Sequence, residues 1–111
     1  MEINHKQIDD VTVISVKGSI DAITSPNITK YIQNQVANGN ARLVMDLSGV
    51  DYTSSAGLRV LLGATKDTRS NNGDIRLTGI QPDVQKVLKL SGFLNILKTY
   101  DDLDSAIASF S

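Results

Sequence analysis

The chain has 111 residues, 41% of them hydrophobic and 21% charged, with a formal charge of −1. That balance is too apolar for a disordered chain, and the length allows one domain around one core, spanning residues 1–111. Eleven basic and 12 acidic residues without a basic cluster offer nucleic acid or anionic lipid no general attraction, and the absence of cysteine removes disulfides and thiolate chemistry.

The first apolar pattern is the weak segment Ile3 to Ile8. It is expected to pair with the β-branched run Val11, Val13, Ile14 and Val16 across a turn at Asp9-Asp10, the run ending at Gly18. Thr24-Ser25-Pro26 then predicts a helix start, a hydroxyl cap followed by proline at the first helical position. Ile28, Tyr31, Ile32 and Val36 share one helical face, and Asn38-Gly39 stops it. Leu43-Val44-Met45 with Leu47 reads as a strand covered on both faces.

Ser55 through Arg69 predicts a second helix, with Leu58, Leu61, Leu62 and Thr65 directed to the core. Asn71-Asn72-Gly73 breaks it, and Ile75 to Leu77 supplies a strand. Pro82 opens a third helix with Val84, Val87 and Leu88 inward, closed at Ser91-Gly92. Ile96 to Thr99 is expected to be a short last strand, and Asp101 to cap a terminal helix carrying Leu103, Ala106, Ile107 and Phe110. Strands alternating with helices in this order predict an α/β fold: a mixed, mostly parallel sheet of four to five strands with about four helices over it.

Catalytic machinery is missing from the sequence. The single histidine, His5, lies in the first strand, which leaves no neutral-pH base for a nucleophilic serine. No GxxxxGK[ST] or GxGxxG pattern follows a strand, and the acids are too scattered to suggest a metal site. Asp9-Asp10 and Asp101-Asp102 sit where turns and helix starts favour aspartate on their own account. A protein that is not an enzyme, and needs neither metal nor cofactor, is expected. No apolar run approaches the roughly 18 residues of a membrane span, and the N-terminus lacks a secretory pattern, so a cytoplasmic location is expected as well.

One stretch stands out, Asp51 through Gly63, which opens Asp51-Tyr52-Thr53-Ser54-Ser55-Ala56-Gly57-Leu58-Arg59. It places three successive hydroxyls where a parallel strand passes into a helix, at the sheet edge where α/β proteins usually meet ligands and partners. The hydroxyls fit two readings, a cap for the helix alone or a site where an anion meets free N–H groups and the positive end of the helix dipole. Ala56 and Gly57 would leave the backbone close to any approaching surface.

Tyr52 through Gly63 resembles the signature loop and helix of STAS domains, the sulfate transporter and anti-sigma factor antagonist family. Val16–Asp21, Val44–Val50 and Leu88–Phe93 resemble three further family segments in the same order, so the likeness spans nearly the whole chain. Stand-alone members of this size are typically bacterial anti-anti-sigma factors. The resemblance therefore implies an anti-sigma factor antagonist that binds an anti-sigma factor, often itself a serine-protein kinase. Phosphorylation of a switch-loop serine releases such a protein, and a PP2C-type phosphatase restores binding.

The family's phosphorylated serine falls on Ser55, with Ser54 as the alternative, because Ser54 stands where many members carry aspartate. Asp21, Tyr52, Thr53, Ser54, Ser55 and Arg59 are expected to meet the partner, and the protein to act as a monomer. The other role the family offers is that of a STAS subunit in an ABC-type lipid transport complex.

Overall fold

A computed structural model describes all 111 residues. Its sheet is built outward from β2 (Val11–Lys17), whose β-branched side chains favour extended backbone and are buried on both faces. On one side β1 (Glu2–Ile8) pairs with it antiparallel, the chain reversing at Asp9, which takes the left-handed conformation with φ 54°. On the other side β3 (Arg42–Gly49) lies parallel to it, then β4 (Asp74–Thr78) and β5 (Lys98–Tyr100), in the order β1-β2-β3-β4-β5. Each parallel step needs a crossover, and α1 (Ser25–Ala37), α2 (Ser55–Arg69) and α3 (Pro82–Ser91) supply them. α4 (Leu103–Ala108) ends the chain. Five strands and four helices thus form the expected mixed α/β fold.

The alternation of side chains along the strands divides the core in two. Ile14, Val16, Leu43, Met45, Leu47, Ile75 and Leu77 face α1, α2 and α3, packing with Ile28, Ile32, Leu58, Leu61 and Leu88. Val11, Val13 and Val44 face the other way and pack with Ala106 of α4. Ile28, Met45 and Leu88 are wholly buried, so truncating any of them to alanine should cost about 2–5 kcal/mol.

Four local expectations need correction. The Thr24 hydroxyl does not cap α1. Thr24 has near-helical backbone angles, and its oxygen instead accepts from the Asp21 N–H and donates to the Ser19 carbonyl. The last strand starts at Lys98 rather than Ile96, because a 3-10 turn at Phe93–Asn95 holds the Ile96 and Leu97 N–H groups on the Phe93 carbonyl. Asp102, not Asp101, caps α4, its Oδ1 accepting from the Ser105 N–H at 2.7 Å. Leu62 is only half-buried; Val60 and Ala64 are buried instead, on the side of α2 that meets α1.

Candidate functional site

The segments following β2 and β3 meet at the C-terminal edge of the sheet and are joined through their backbones. The Ile20 N–H donates to the Tyr52 carbonyl and the Ser54 N–H to the Ile20 carbonyl, both at 2.9 Å. Ile20 and Thr53 form a parallel bridge between those two bonds. This short continuation of the β2–β3 pairing fixes the loop that leads into α2.

The three hydroxyls consequently occupy different environments. Thr53 is 5% exposed and donates to the Ser54 carbonyl at 3.2 Å, so it does not belong to the exposed face on which it was expected. Its place is set by the bridge to Ile20. Ser54 is the N-cap of α2: its backbone is extended, with ψ 179°, and its Oγ accepts from the Ala56 N–H at 3.2 Å. Ser55, the first helical residue, is exposed, and its hydroxyl takes part in no hydrogen bond.

Close packing beneath Ser55 requires a glycine. A Cβ on Gly57 would lie 2.1 Å from Thr53 Oγ1 and 2.7 Å from Ile20 Cγ2. No real side chain fits there, so Gly57 lets the first turn of α2 rest directly on the bridged loops.

Asp21 lies in the loop after β2, next to Ile20. Its Oδ1 accepts from the Ile23 N–H at 2.9 Å and the Thr24 N–H at 3.0 Å, and these bonds, that from Thr24 foremost, hold the carboxyl below its usual range. Asp21 therefore organises its own turn while remaining half-exposed. Two apolar side chains accompany it in solvent, Tyr52 at 54% and Ile23 at 86% exposure. Ile23 was not singled out from the sequence. The available signal was an isoleucine in a polar turn, outside the Ile28–Ile32 face of α1. Arg59, one turn below Ser55, is exposed and forms no ion pair.

The other candidate groups have structural partners. His5 is bonded to the Tyr31 hydroxyl rather than to any serine, and the Asp10 carboxylate pairs with Arg42. No three histidine or acidic side chains converge as a metal site would require, and no helix is long and apolar enough to cross a membrane. What the edge presents is an exposed, unbonded hydroxyl at a helix start, on bridged loops that also carry one anchored carboxylate and two exposed apolar side chains. Exposed apolar side chains of this kind are the sort of surface through which proteins meet one another.

Comparison with known proteins agrees with this class. The STAS domain profile matches residues 2–106, and the chain belongs to the STAS domain family. BtrV of Bordetella bronchiseptica, which carries the name of an anti-sigma factor antagonist, is 33% identical over 110 residues, covering 99% of this chain and 95% of that protein. The crystal structure of an anti-sigma factor antagonist from Mycobacterium paratuberculosis superposes with a TM-score of 0.88 at 29% identity, covering 97% of this chain and 92% of that one. The phosphorylated form of the Bacillus cell fate determinant SpoIIAA shares the fold, with a TM-score of 0.74 at 18% identity, covering 99% and 100% of the two chains.

Proposed function

We propose that this protein is an anti-sigma factor antagonist whose docking surface is switched by phosphorylation of Ser55. In this reading the unphosphorylated chain binds an anti-sigma factor that is also a serine-protein kinase. Phosphorylation releases it, and a PP2C-type phosphatase restores binding. The contact residues are Asp21, Ile23, Tyr52, Ser54, Ser55 and Arg59, with Ile23 and Tyr52 as apolar anchors.

The observation that carries the reading is the unequal state of the three hydroxyls. Thr53 is buried and Ser54 caps α2, whereas Ser55 is exposed and unbonded. A kinase reaches Ser55 without dismantling the loop. The phosphate adds roughly −1.5 to −2 charges, which the N-terminus of α2 tolerates, so the domain need not refold. In a docked interface the same group must lose its water and lie near Asp21. A loss of about 3 kcal/mol of binding would weaken the complex more than a hundredfold.

Mapping the phosphate by mass spectrometry after incubation with the cognate kinase and ATP tests the assignment. Modification is expected on Ser55 alone. Phosphate on Ser54 or Thr53 would contradict it.

A further inference from the structure

β1 is an edge strand of the sheet. It pairs with β2 through an unbroken register from Glu2↔Lys17 to Ile8↔Val11, and it contains no proline, glycine or bulge. Edge strands are usually shortened, kinked or covered, because their free backbone groups invite another strand. β5, at the other edge, is only three residues long. The two-residue turn at Asp9-Asp10 makes Ile8–Val11 a hydrogen-bonded pair, so Lys6, Asn4 and Glu2 also direct their backbone groups to β2. Ile3, His5 and Gln7 therefore turn their N–H and C=O groups outward.

The side chains of this strand are complementary to their own reversed copy. Ile3 packs against the main core, so Glu2, Asn4 and Lys6 lie together on the opposite face of the sheet, where Lys6 stands beside Val13. All three are exposed, and neither Glu2 nor Lys6 belongs to an ion pair within the chain. Four residues of extended strand separate these two charges by about 13 Å, too far for them to meet. A second β1, antiparallel about a two-fold axis at Asn4, sets each Glu2 opposite a Lys6 and the two Asn4 side chains opposite one another. The same register matches the outward backbone groups of Ile3 with those of His5. Lys17, beside Glu2, extends the row as cation, anion, cation. Centring on His5 instead sets Glu2 opposite Ile8 and leaves both charges unmatched, and centring on Lys6 sets two lysines together. Registers centred between residues oppose outward backbone groups to ones already engaged with β2.

We propose that β1 is a self-pairing edge through which two copies of this chain join into one continuous sheet, in place of the monomer expected from the sequence. Strand addition supplies the backbone bonds, and the Glu2–Lys6 pairs fix direction and register. Both ion pairs are exposed, so their contribution is small and salt-sensitive, and the dimer is weak and concentration-dependent. The two-fold axis reverses one copy relative to the other. The surfaces around Ser55 then point in opposite directions, and each stays open to a partner. The proposal is independent of what that partner is.

Single cysteines test the register, since the chain has none of its own. In a non-hydrogen-bonded antiparallel pair the Cα atoms lie about 4.5 Å apart, within disulfide reach, and Asn4 takes that position opposite its own copy. Under mild oxidation Asn4→Cys is expected to cross-link at least tenfold faster than Lys6→Cys, whose two copies stand about 13 Å apart along the strands. Sedimentation velocity over a concentration series up to millimolar protein, at low and high salt, measures the dimer itself. Lys6→Glu should raise its dissociation constant at least tenfold, and adding Glu2→Lys should return it close to the wild-type value, with circular dichroism as the control for folding. The proposal is overturned if the wild type stays monomeric at millimolar concentration or if Lys6→Cys cross-links as fast as Asn4→Cys. It is equally overturned if Lys6→Glu dimerises like the wild type, or if the charge swap fails to restore what Lys6→Glu removes.

Discussion

Gly57 lies so close to Thr53 that a single Cβ would come within 2.1 Å of the threonine Oγ1. This contact, with the Ile20–Thr53 bridge, sets the height at which α2 presents Ser55 to solvent. Gly57→Ala must therefore push the first turn of α2 away from the loop, although alanine is the better helix former. It is expected to destabilise the fold by about 1–3 kcal/mol in urea unfolding, the range typical of overpacking. Unchanged or increased stability would show that the loop yields at no cost.

Ser54 and Ser55 are adjacent hydroxyls in different states, the first capping α2 and the second exposed and unbonded. Ser54→Ala removes the cap and should lower stability by about 1 kcal/mol, while phosphorylation continues at Ser55. Ser54→Asp should restore the cap and add a favourable interaction with the helix dipole. Thermal unfolding of the two variants, beside phosphate mapping on each, separates cap from switch.

Much of this arrangement is legible in the sequence, for physical reasons that are local. The bounds of α2 at Ser55 and Arg69 follow from a hydroxyl cap, leucine spacing and the Asn71-Asn72-Gly73 break. Gly92 ends α3 in the left-handed conformation, as a glycine after a helix should. What escaped the sequence depends on contacts between distant segments. The burial of Thr53 comes from its bridge to Ile20, which no local pattern announces. The exposure of Ile23 follows from a turn that Asp21 organises, and the late start of β5 from the 3-10 turn before it.

Asp74 anchors the opposite end of the sheet and should dominate acid sensitivity. It is 7% exposed, and Arg69 bonds it at 3.0 Å and Arg76 at 3.3 Å. Burial works against its charged form, but the hydrogen bond and charge of Arg69, the Arg76 bond and the Ile75 N–H prevail and hold its carboxyl below the usual range. With the folded pKa lower than the unfolded value of about 3.9, its contribution is fully present above that value and is lost as pH falls through the folded pKa. Asp74→Asn is expected to cost about 2–3 kcal/mol at pH 7 by leaving Arg76 half-buried without its carboxylate. That deficit should shrink below about pH 4, as chemical denaturation at stepped pH would show. A deficit constant down to pH 2 would exclude the ionic explanation.

Gly63 offers a contrast with Gly57 in the same helix. Gly63→Ala should raise stability by about 0.5–1 kcal/mol, because the site is exposed and unobstructed. Calorimetric melting of the two alanine variants side by side should give shifts of opposite sign. Destabilisation by both would mean that Gly63 has an internal role the packing does not reveal.

In the proposed switch, a phosphate at Ser55 weakens partner binding without refolding the domain. Isothermal titration of the cognate anti-sigma factor with unmodified protein and with protein phosphorylated at Ser55 measures this. Circular dichroism of both forms serves as the control for folding. The two forms should give superimposable spectra, with the phosphorylated one bound at least a hundredfold more weakly. Equal affinity, or weaker binding that appears only together with loss of the folded spectrum, would contradict the electrostatic switch.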